Sequence, residues 1–478
     1  MVLTVLTDAN INTLLHSFNR DDILELQQSL ADALHWYSTS NDANDCCSDF
    51  QPERTVLKRK DGSTTLFMPA SDLTGQGIKV VNVVPPDTTG LPCMNDLAES
   101  LNSARSASSP RASISTTSTR DSGTSANSPS TTTSTAATSI SSGIDKPLSS
   151  TSTIHGSLTL LDNLGRTTGL LNAGELTAFR TALASTMLLK KRHSVHDLTI
   201  FGAGKQAYWH LRLAMLLRPG EIHHVNMIAR NFDSARSCLM RIYNPLPEDP
   251  EYVNPVGHKY NSKTKTNIIT PSHTEYERLL KEFVRSSNVI FCTTPSNQPL
   301  FPATYLTNPE GRKKGRYIAC IGSYKPHMIE LHPDILRDAV APHHEHKHMH
   351  RRQREGGAVI VDTVSGCLKE AGEIIQAKLL PDQVVELGEL FLLKREAERK
   401  RALAHDGLVK HGLGSAAEGN GEKGCQFQEQ QNSGLIEWLT KGNVIYKSVG
   451  LGLMDVVVGN ELVRLAKERG VGTFIEDF

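Results

Sequence analysis

Six residues carry the plainest chemistry in this 478-residue chain: Gly202-Ala203-Gly204-Lys205-Gln206-Ala207. They follow the apolar run Asp197-Leu-Thr-Ile-Phe, which reads as a buried strand, and precede a stretch to about Leu217 that reads as helix. In G-x-G-x-x-A the first glycine permits a tight turn and the second lets a pyrophosphate approach the backbone. The alanine lets the helix, whose N-terminal dipole faces the phosphates, pack close to the sheet. A dinucleotide-binding turn is predicted, and a strand–helix turn that merely needs small residues is the plainer alternative. A second strand runs from His224 to Ile228-Ala229-Arg230-Asn231 and ends without the acid that usually holds the ribose hydroxyls of NAD. Arg230 can pair a 2′-phosphate bidentately, which favours NADP over NAD. The alternative is a solvated Arg230, with Asn231 capping the next helix.

Further runs end in the same way. Asn288-Val-Ile-Phe-Cys-Thr-Thr, Arg316-Tyr-Ile-Ala-Cys-Ile-Gly and Ala358-Val-Ile-Val-Asp read as short buried strands. Upstream, residues 156–161 alternate like a strand, and Leu176, Phe179, Leu183 and Met187 step along a helix expected from about Ala173 to Arg192. Strands alternating with helices across 195–365 predict an α/β protein with a doubly wound parallel sheet of the Rossmann type.

Composition sets the outer limits. Lys+Arg and Asp+Glu both number 51, which argues against gripping nucleic acid or an anionic membrane by charge. The 8 cysteines are scattered without a C-x-x-C pair, as befits a reducing compartment. The opening Met-Val-Leu-Thr-Val-Leu-Thr-Asp has no basic n-region, so no signal peptide is expected and the cytoplasm is the predicted location. Of residues 101–150, 26 are Ser or Thr, too polar to offset ordering entropy, so 91–151 is expected to be a disordered insert. A His-rich insert at 341–357 and a polar insert at 396–433 interrupt the rest. His343, His344, His346, His348 and His350 lie in a polar, basic segment without a cysteine, and no metal site is expected from them.

Thr177-Ala-Phe-Arg180-Thr181 ahead of Gly202-Ala-Gly-Lys-Gln-Ala resembles the ornithine cyclodeaminase/mu-crystallin family. Cys320-Ile-Gly-Ser-Tyr-Lys-Pro-His-Met-Ile-Glu-Leu331, Lys369-Glu-Ala-Gly-Glu373 and Tyr446-Lys-Ser-Val-Gly-Leu-Gly-Leu-Met-Asp455 extend the resemblance in order over about 50–460. It implies a Rossmann domain, 193–395, inserted in an α+β substrate-binding and dimerisation domain of 1–192 with 434–478, and hence a homodimer. It also implies a clamp for the carboxylate of a small amino or imino acid, made by Arg54, Lys79 and Arg180. Guanidinium forks suit a planar carboxylate, and a nearby ammonium supplies charge or a proton. Without the resemblance each would read as a surface salt bridge. By the same resemblance Thr153, Thr293, Thr294, Ser323 and Ser448 are expected beside the cofactor, with Gly202, Gly204, Lys205, Gln206, Arg230 and Asn231; turn or helix capping is the bland alternative for Thr293, Thr294 and Ser448.

One departure is informative. Ornithine cyclodeaminases carry a proton-relaying Asp after a Gly-Gly pair, whereas this chain reads Gly322-Ser323-Tyr324. A tyrosine, with an ordinary pKa near 10, relays protons poorly at neutral pH, and the local sequence offers no acid in its stead. Mu-crystallin-like ketimine reductases and related imino-acid reductases also lack this Asp, so the resemblance implies NAD(P)H-dependent reduction of cyclic imino acids or ketimines, or the reverse amino-acid dehydrogenation, with Lys79 as proton donor or charge stabiliser. Ornithine cyclodeamination and a weakly catalytic, regulatory or crystallin-like NAD(P) binder are the alternatives.

Overall fold

A computed structural model describes residues 2–39, 51–84, 153–246, 254–256, 263–341, 359–391 and 438–478. The predicted inserts 91–151 and 396–433, and 342–357 of the His-rich insert, lie outside the described residues. Contacts divide the chain into a large unit (Met1–Lys58, Thr64–Asn82, Ile154–Phe478) and a small one (Arg59–Ser63, Val83–Thr153). In the small unit, Arg59–Ser63 is a tight turn closed by the Arg59 N–H donating to the Ser63 carbonyl (2.9 Å), with Gly62 at φ 81°.

Two sheets organise the described chain. The first is mixed, with strand order β15-β1-β6-β5-β4-β3-β2. Its strands are β1 (Leu3–Leu6), β2 (Thr55–Lys58), β3 (Thr64–Ser71), β4 (Gly75–Val84), β5 (Thr153–Asp162), β6 (Thr167–Asn172) and β15 (Thr473–Ile475). The second comprises β7 (Asp197–Phe201), β8 (His224–Ile228), β9 (Lys265–Ile269), β10 (Val289–Cys292), β11 (Tyr317–Cys320), β12 (Val359–Val361), β13 (Val384–Glu386) and β14 (Val444–Lys447). Its order is β13-β12-β14-β11-β10-β7-β8-β9, and every neighbouring pair is parallel. β10, β11, β12 and β14 are buried throughout, as their unbroken apolar runs require of a sheet covered on both faces.

The parallel sheet reverses its winding between β7 and β10, where Phe201 lies opposite Cys292. At such a switch point the loops leaving the two strands part and open a crevice for ligand. β14 comes from the far end of the chain yet pairs between β11 and β12, Tyr317 opposite Val444 and Val359 opposite Ile445. The sequence-based boundary at 434 thus falls ahead of a strand that belongs to the parallel sheet.

Eleven helices are described: α1 (Asp8–His16), α2 (Arg20–Thr39), α3 (Ala173–Thr186), α4 (Lys205–Leu217), α5 (Phe232–Tyr243), α6 (Tyr276–Ser286), α7 (Thr304–Thr307), α8 (Pro333–Val340), α9 (Val364–Glu370), α10 (Gly372–Ala377) and α11 (Gly452–Arg469). α3 is buried on nearly every side, and its alanines and hydroxyl residues let α4 and α11 pack close. It ends at Thr186 instead of running on to Arg192. The Ser185 and Thr186 hydroxyls bond back to the Ala182 carbonyl (3.2 and 2.7 Å), which loosens the last turn before a 3₁₀ turn at Leu189–Lys191. Asn172 starts α3 by accepting the Gly174 N–H (2.8 Å), and Gly470 ends α11 in the left-handed region at φ 66°.

Candidate active site

On β4, Gly75, Gly77 and Lys79 are buried at alternate positions, as the period of a strand demands, and Gly77 and Lys79 face α11. A Cβ on Gly77 would lie 2.8 Å from the Val456 side chain, so glycine there lets α11 settle against the strand. Lys79 then reaches the residue before it in α11. Its Nζ donates to Asp455 Oδ1 at 2.8 Å, and the Arg180 Nε from α3 donates to the same oxygen at 3.0 Å. All three side chains are at least nine-tenths buried. Asp455 sits in the first turn of α11, where the helix dipole favours a negative charge.

The electrostatics follow from that geometry. Burial pulls the Lys79 ammonium down to about 8, against the opposing charge of Asp455 and helped by Arg180 and Arg54. For Asp455, burial alone would push the carboxyl up; Arg180 and Lys79 outweigh it and hold the group below its usual range. Arg54, whose charge is felt at Lys79, forms an ion pair with Glu370 of α9 (2.7 Å) at a partly exposed position.

The glycine turn lies at the switch point. Gly202 adopts φ 108°, a left-handed conformation that side chains resist, and a Cβ there would lie 2.8 Å from Thr293 Oγ1. Thr293 is fixed by donating to the Phe201 carbonyl (2.6 Å), which joins the ends of β7 and β10. Gly204 is different: a Cβ there meets nothing within 4 Å. Beside Ala203 and Gly204 a cleft of about 380 Å³ extends to Asp233, Ser234 and Arg241 of α5. An open second glycine at a helix N-terminus, next to a polar cleft, fits the diphosphate and adenosine portions of a dinucleotide.

Behind Thr294 a buried polar cluster ties three strand ends together. The Glu330 carboxylate accepts the N–H groups of Thr294 and Gly322 (both 2.7 Å) and of Ser323 (3.3 Å). Glu373 accepts the Ser323 hydroxyl and the Glu330 N–H (2.7 Å for the latter), and Lys447 at the end of β14 donates to Ser323 Oγ (2.5 Å). Burial raises Glu330 to about 7, with Lys447 opposing and Glu373 reinforcing. This acid stands six residues beyond Tyr324 and folds back beneath the Gly322–Ser323 turn. It is sealed from solvent and saturated with backbone donors.

Ser448 donates to Asp362 Oδ2 (2.7 Å), which also accepts the Gly450 N–H (2.7 Å). Gly450, at φ 91°, lies against the Arg180 guanidinium. The loop leaving β14 thus runs from the end of the parallel sheet to the Lys79–Arg180 cluster.

Several predicted cofactor residues have other engagements. Lys205 Nζ pairs with Glu175 (2.9 Å), Asn231 caps α5 by accepting the Ser234 N–H (3.0 Å), and the Gln206 carbonyl lies 2.7 Å from His210 Nδ1. Arg230 is exposed and has no hydrogen-bond or ion-pair partner among the described residues. Thr153 begins β5, and its side chain lies outside the described residues. Asp455, Glu330, Glu373, Asp362 and Lys447 were given no role by sequence reasoning, although Asp362 ends the quoted strand run Ala358-Val-Ile-Val-Asp and the other four fall inside the motifs that carry the resemblance.

No family model matches the chain. A Δ1-pyrroline-2-carboxylate reductase of Bacillus cereus is 24% identical over 328 residues, 68% of this chain and 75% of its own. The structure of Thermococcus litoralis Δ1-pyrroline-2-carboxylate reductase with NADH and L-proline superposes with a TM-score of 0.56 at 17% identity, covering 98% of this chain and 99% of that one. A probable ornithine cyclodeaminase from Bordetella pertussis Tohama I superposes with a TM-score of 0.53 at 15% identity, covering 98% and 99%. The chain is a relative of the ornithine cyclodeaminase/mu-crystallin family. The family's fold is that of this chain, a Rossmann-type parallel sheet accompanied by a second, mixed sheet. No described helix of this family relative is long and apolar enough to cross a membrane.

Proposed function

We propose that this protein is an NAD(P)H-dependent reductase of cyclic imino acids or ketimines, able to run in reverse as an amino-acid dehydrogenase. The observation that carries the reading is the convergence of Lys79 and Arg180, from separate elements, in one buried cluster joined by the Ser448–Gly450 loop to the parallel sheet. A mere dinucleotide binder has no use for two buried cations there. The relatedness to pyrroline-2-carboxylate reductases supports the same chemistry.

In this reading Gly202, Gly204, Thr293 and Thr294 hold the dinucleotide, which when bound supplies hydride. Arg180 binds the substrate carboxylate with the guanidinium edge that Asp455 leaves open, and Arg54 adds charge at the rim. Lys79 holds the proton delivered to the imine nitrogen as the carbon beside the carboxylate is reduced. With its ammonium brought to about 8, it is protonated at neutral pH and gives up the proton more readily than an exposed lysine. NADP is the preferred cofactor through Arg230, the active form is a homodimer, and the enzyme works in the cytoplasm.

The test is a substrate screen of purified protein, following NADPH and NADH absorbance with cyclic imines and with α-keto acids plus amines, and ammonia release from ornithine. Turnover of a cyclic imino acid is expected. Ammonia release from ornithine without reductase activity overturns the reading in favour of the cyclodeaminase.

A further inference from the structure

We propose that Asp455 sets how many carboxylates the substrate can carry: by engaging Lys79 and Arg180 together it leaves a seat for one, so the site takes monocarboxylic imino acids over dicarboxylic ones. The inference rests on the reductase reading and deepens it.

Three cations surround the site and two are already matched. Arg54 is paired with Glu370 (2.7 Å) and Lys79 with Asp455 (2.8 Å). Arg180 shares the Asp455 oxygen through Nε alone (3.0 Å), which leaves both terminal nitrogens for other work. Nη1 lies 3.6 Å from the Met454 sulfur, a weak acceptor, and Nη2 meets no oxygen among the described residues. The residue against the terminal edge has no side chain. A Cβ on Gly450 would stand 3.1 Å from Nη2, so any other residue at this left-handed position would crowd the guanidinium. The buried trio of Lys79, Arg180 and ionised Asp455 carries one surplus positive charge, which one carboxylate neutralises. A second carboxylate would be buried without a cation, and an uncompensated buried charge is strongly disfavoured. Removing the Asp455 charge frees Lys79 and doubles the surplus, so discrimination against dicarboxylates falls with it.

The full-length protein with reduced cofactor is assayed with Δ1-pyrroline-2-carboxylate and with iminosuccinate formed from oxaloacetate and ammonia. In Asp455→Asn the kcat/KM ratio of the first over the second falls by at least about 10-fold relative to the unmodified enzyme. The alkaline limb of kcat/KM also moves to lower pH, because Lys79 loses its one facing anion while Arg180 and Arg54 remain. Equal losses for both acids with an unmoved limb would mean that Asp455 only supports the fold, and overturn the inference. Should Asp455→Asn fail to melt cooperatively, Glu370→Gln adds the same charge at the partly exposed rim and must shift the ratio in the same direction; no shift overturns the inference. If the unmodified enzyme reduces neither acid, the reductase reading fails by itself. Calorimetric titration of cofactor-loaded protein with L-proline and L-aspartate then still reads the charge preference. Proline bound at least about 10-fold more tightly sustains the inference, and equal binding overturns it.

Discussion

At the scale of single residues, the two buried cations divide the work in a way kinetics can separate. Arg180→Ala removes a charged, hydrogen-bonded carboxylate contact. That is expected to cost roughly 2–4 kcal/mol of transition-state stabilisation, about 30- to 1000-fold in kcat/KM. Lys79→Ala should do similar damage, more of it in kcat, since a proton donor acts in the transition state. If Lys79 must be protonated, kcat/KM is level below pH 8 and falls above it. The limb reflects burial of the ammonium, opposed by Asp455 and assisted by Arg180 and Arg54. Full turnover in Lys79→Ala would remove the mechanism. Tyr324→Phe is expected to be nearly silent on a cyclic imine.

Among the elements, the two glycines of the turn have different duties and should fail differently. Gly202→Ala places a side chain at φ 108° and against Thr293 Oγ1, and is expected to lower stability by about 1–3 kcal/mol, read from the denaturant midpoint. Gly204→Ala meets only open space, so the melt should hold while cofactor affinity drops at least about 10-fold in calorimetry. A melt lowered equally by both would show that the turn serves packing alone. The strand ends make a second, pH-dependent prediction through Glu330. Its acid is raised from 4.5 to about 7 in the fold, so the folded form binds the proton more tightly than the unfolded one. That contribution is full below pH 4.5 and is lost as pH rises through 7. Glu330→Gln should flatten this part of the stability-versus-pH curve, and an unchanged curve would show that Glu330 does not titrate there.

For the whole molecule, acid resistance depends on two histidines packed into the core. His16 is lowered to about 3, by burial and then by Arg212, and His210 to about 4 by burial. Depressed histidines favour the neutral form, so their contribution is complete above pH 6.5 and is lost as pH falls toward 4 and 3. The melting temperature should therefore fall steeply between pH 6.5 and 4, and His210→Leu should make the fall shallower. The same measurement in the presence of NADPH and NADH ranks the two cofactors by the stabilisation each gives. NADPH is expected to give the larger shift, and Arg230→Ala should erase most of the difference; NADH giving the larger shift in the unmodified protein would reverse the assignment.

The glycine turn, the strands that end at it and the parallel α/β class were legible because each depends on local chemistry. A positive φ needs glycine, an unbroken apolar run needs burial on both faces, and both lie within a few consecutive residues. Lys79 and Arg180 were legible only through resemblance to a family, since a lone lysine on a strand has no local mark of function. The carboxylate that joins them was not legible at all. Asp455 stands 376 residues from Lys79, and nothing in either segment states that β4 and α11 lie face to face. The insertion of β14 between β11 and β12, and the return of Glu330 beneath Gly322, were hidden for the same reason. Strand order and long-range electrostatics are settled by which apolar faces pack together, and charges inherit their partners from that packing. Sequence by itself determined what each element is and where a dinucleotide could turn; only the tertiary structure decided which carboxylate stands between the two buried cations.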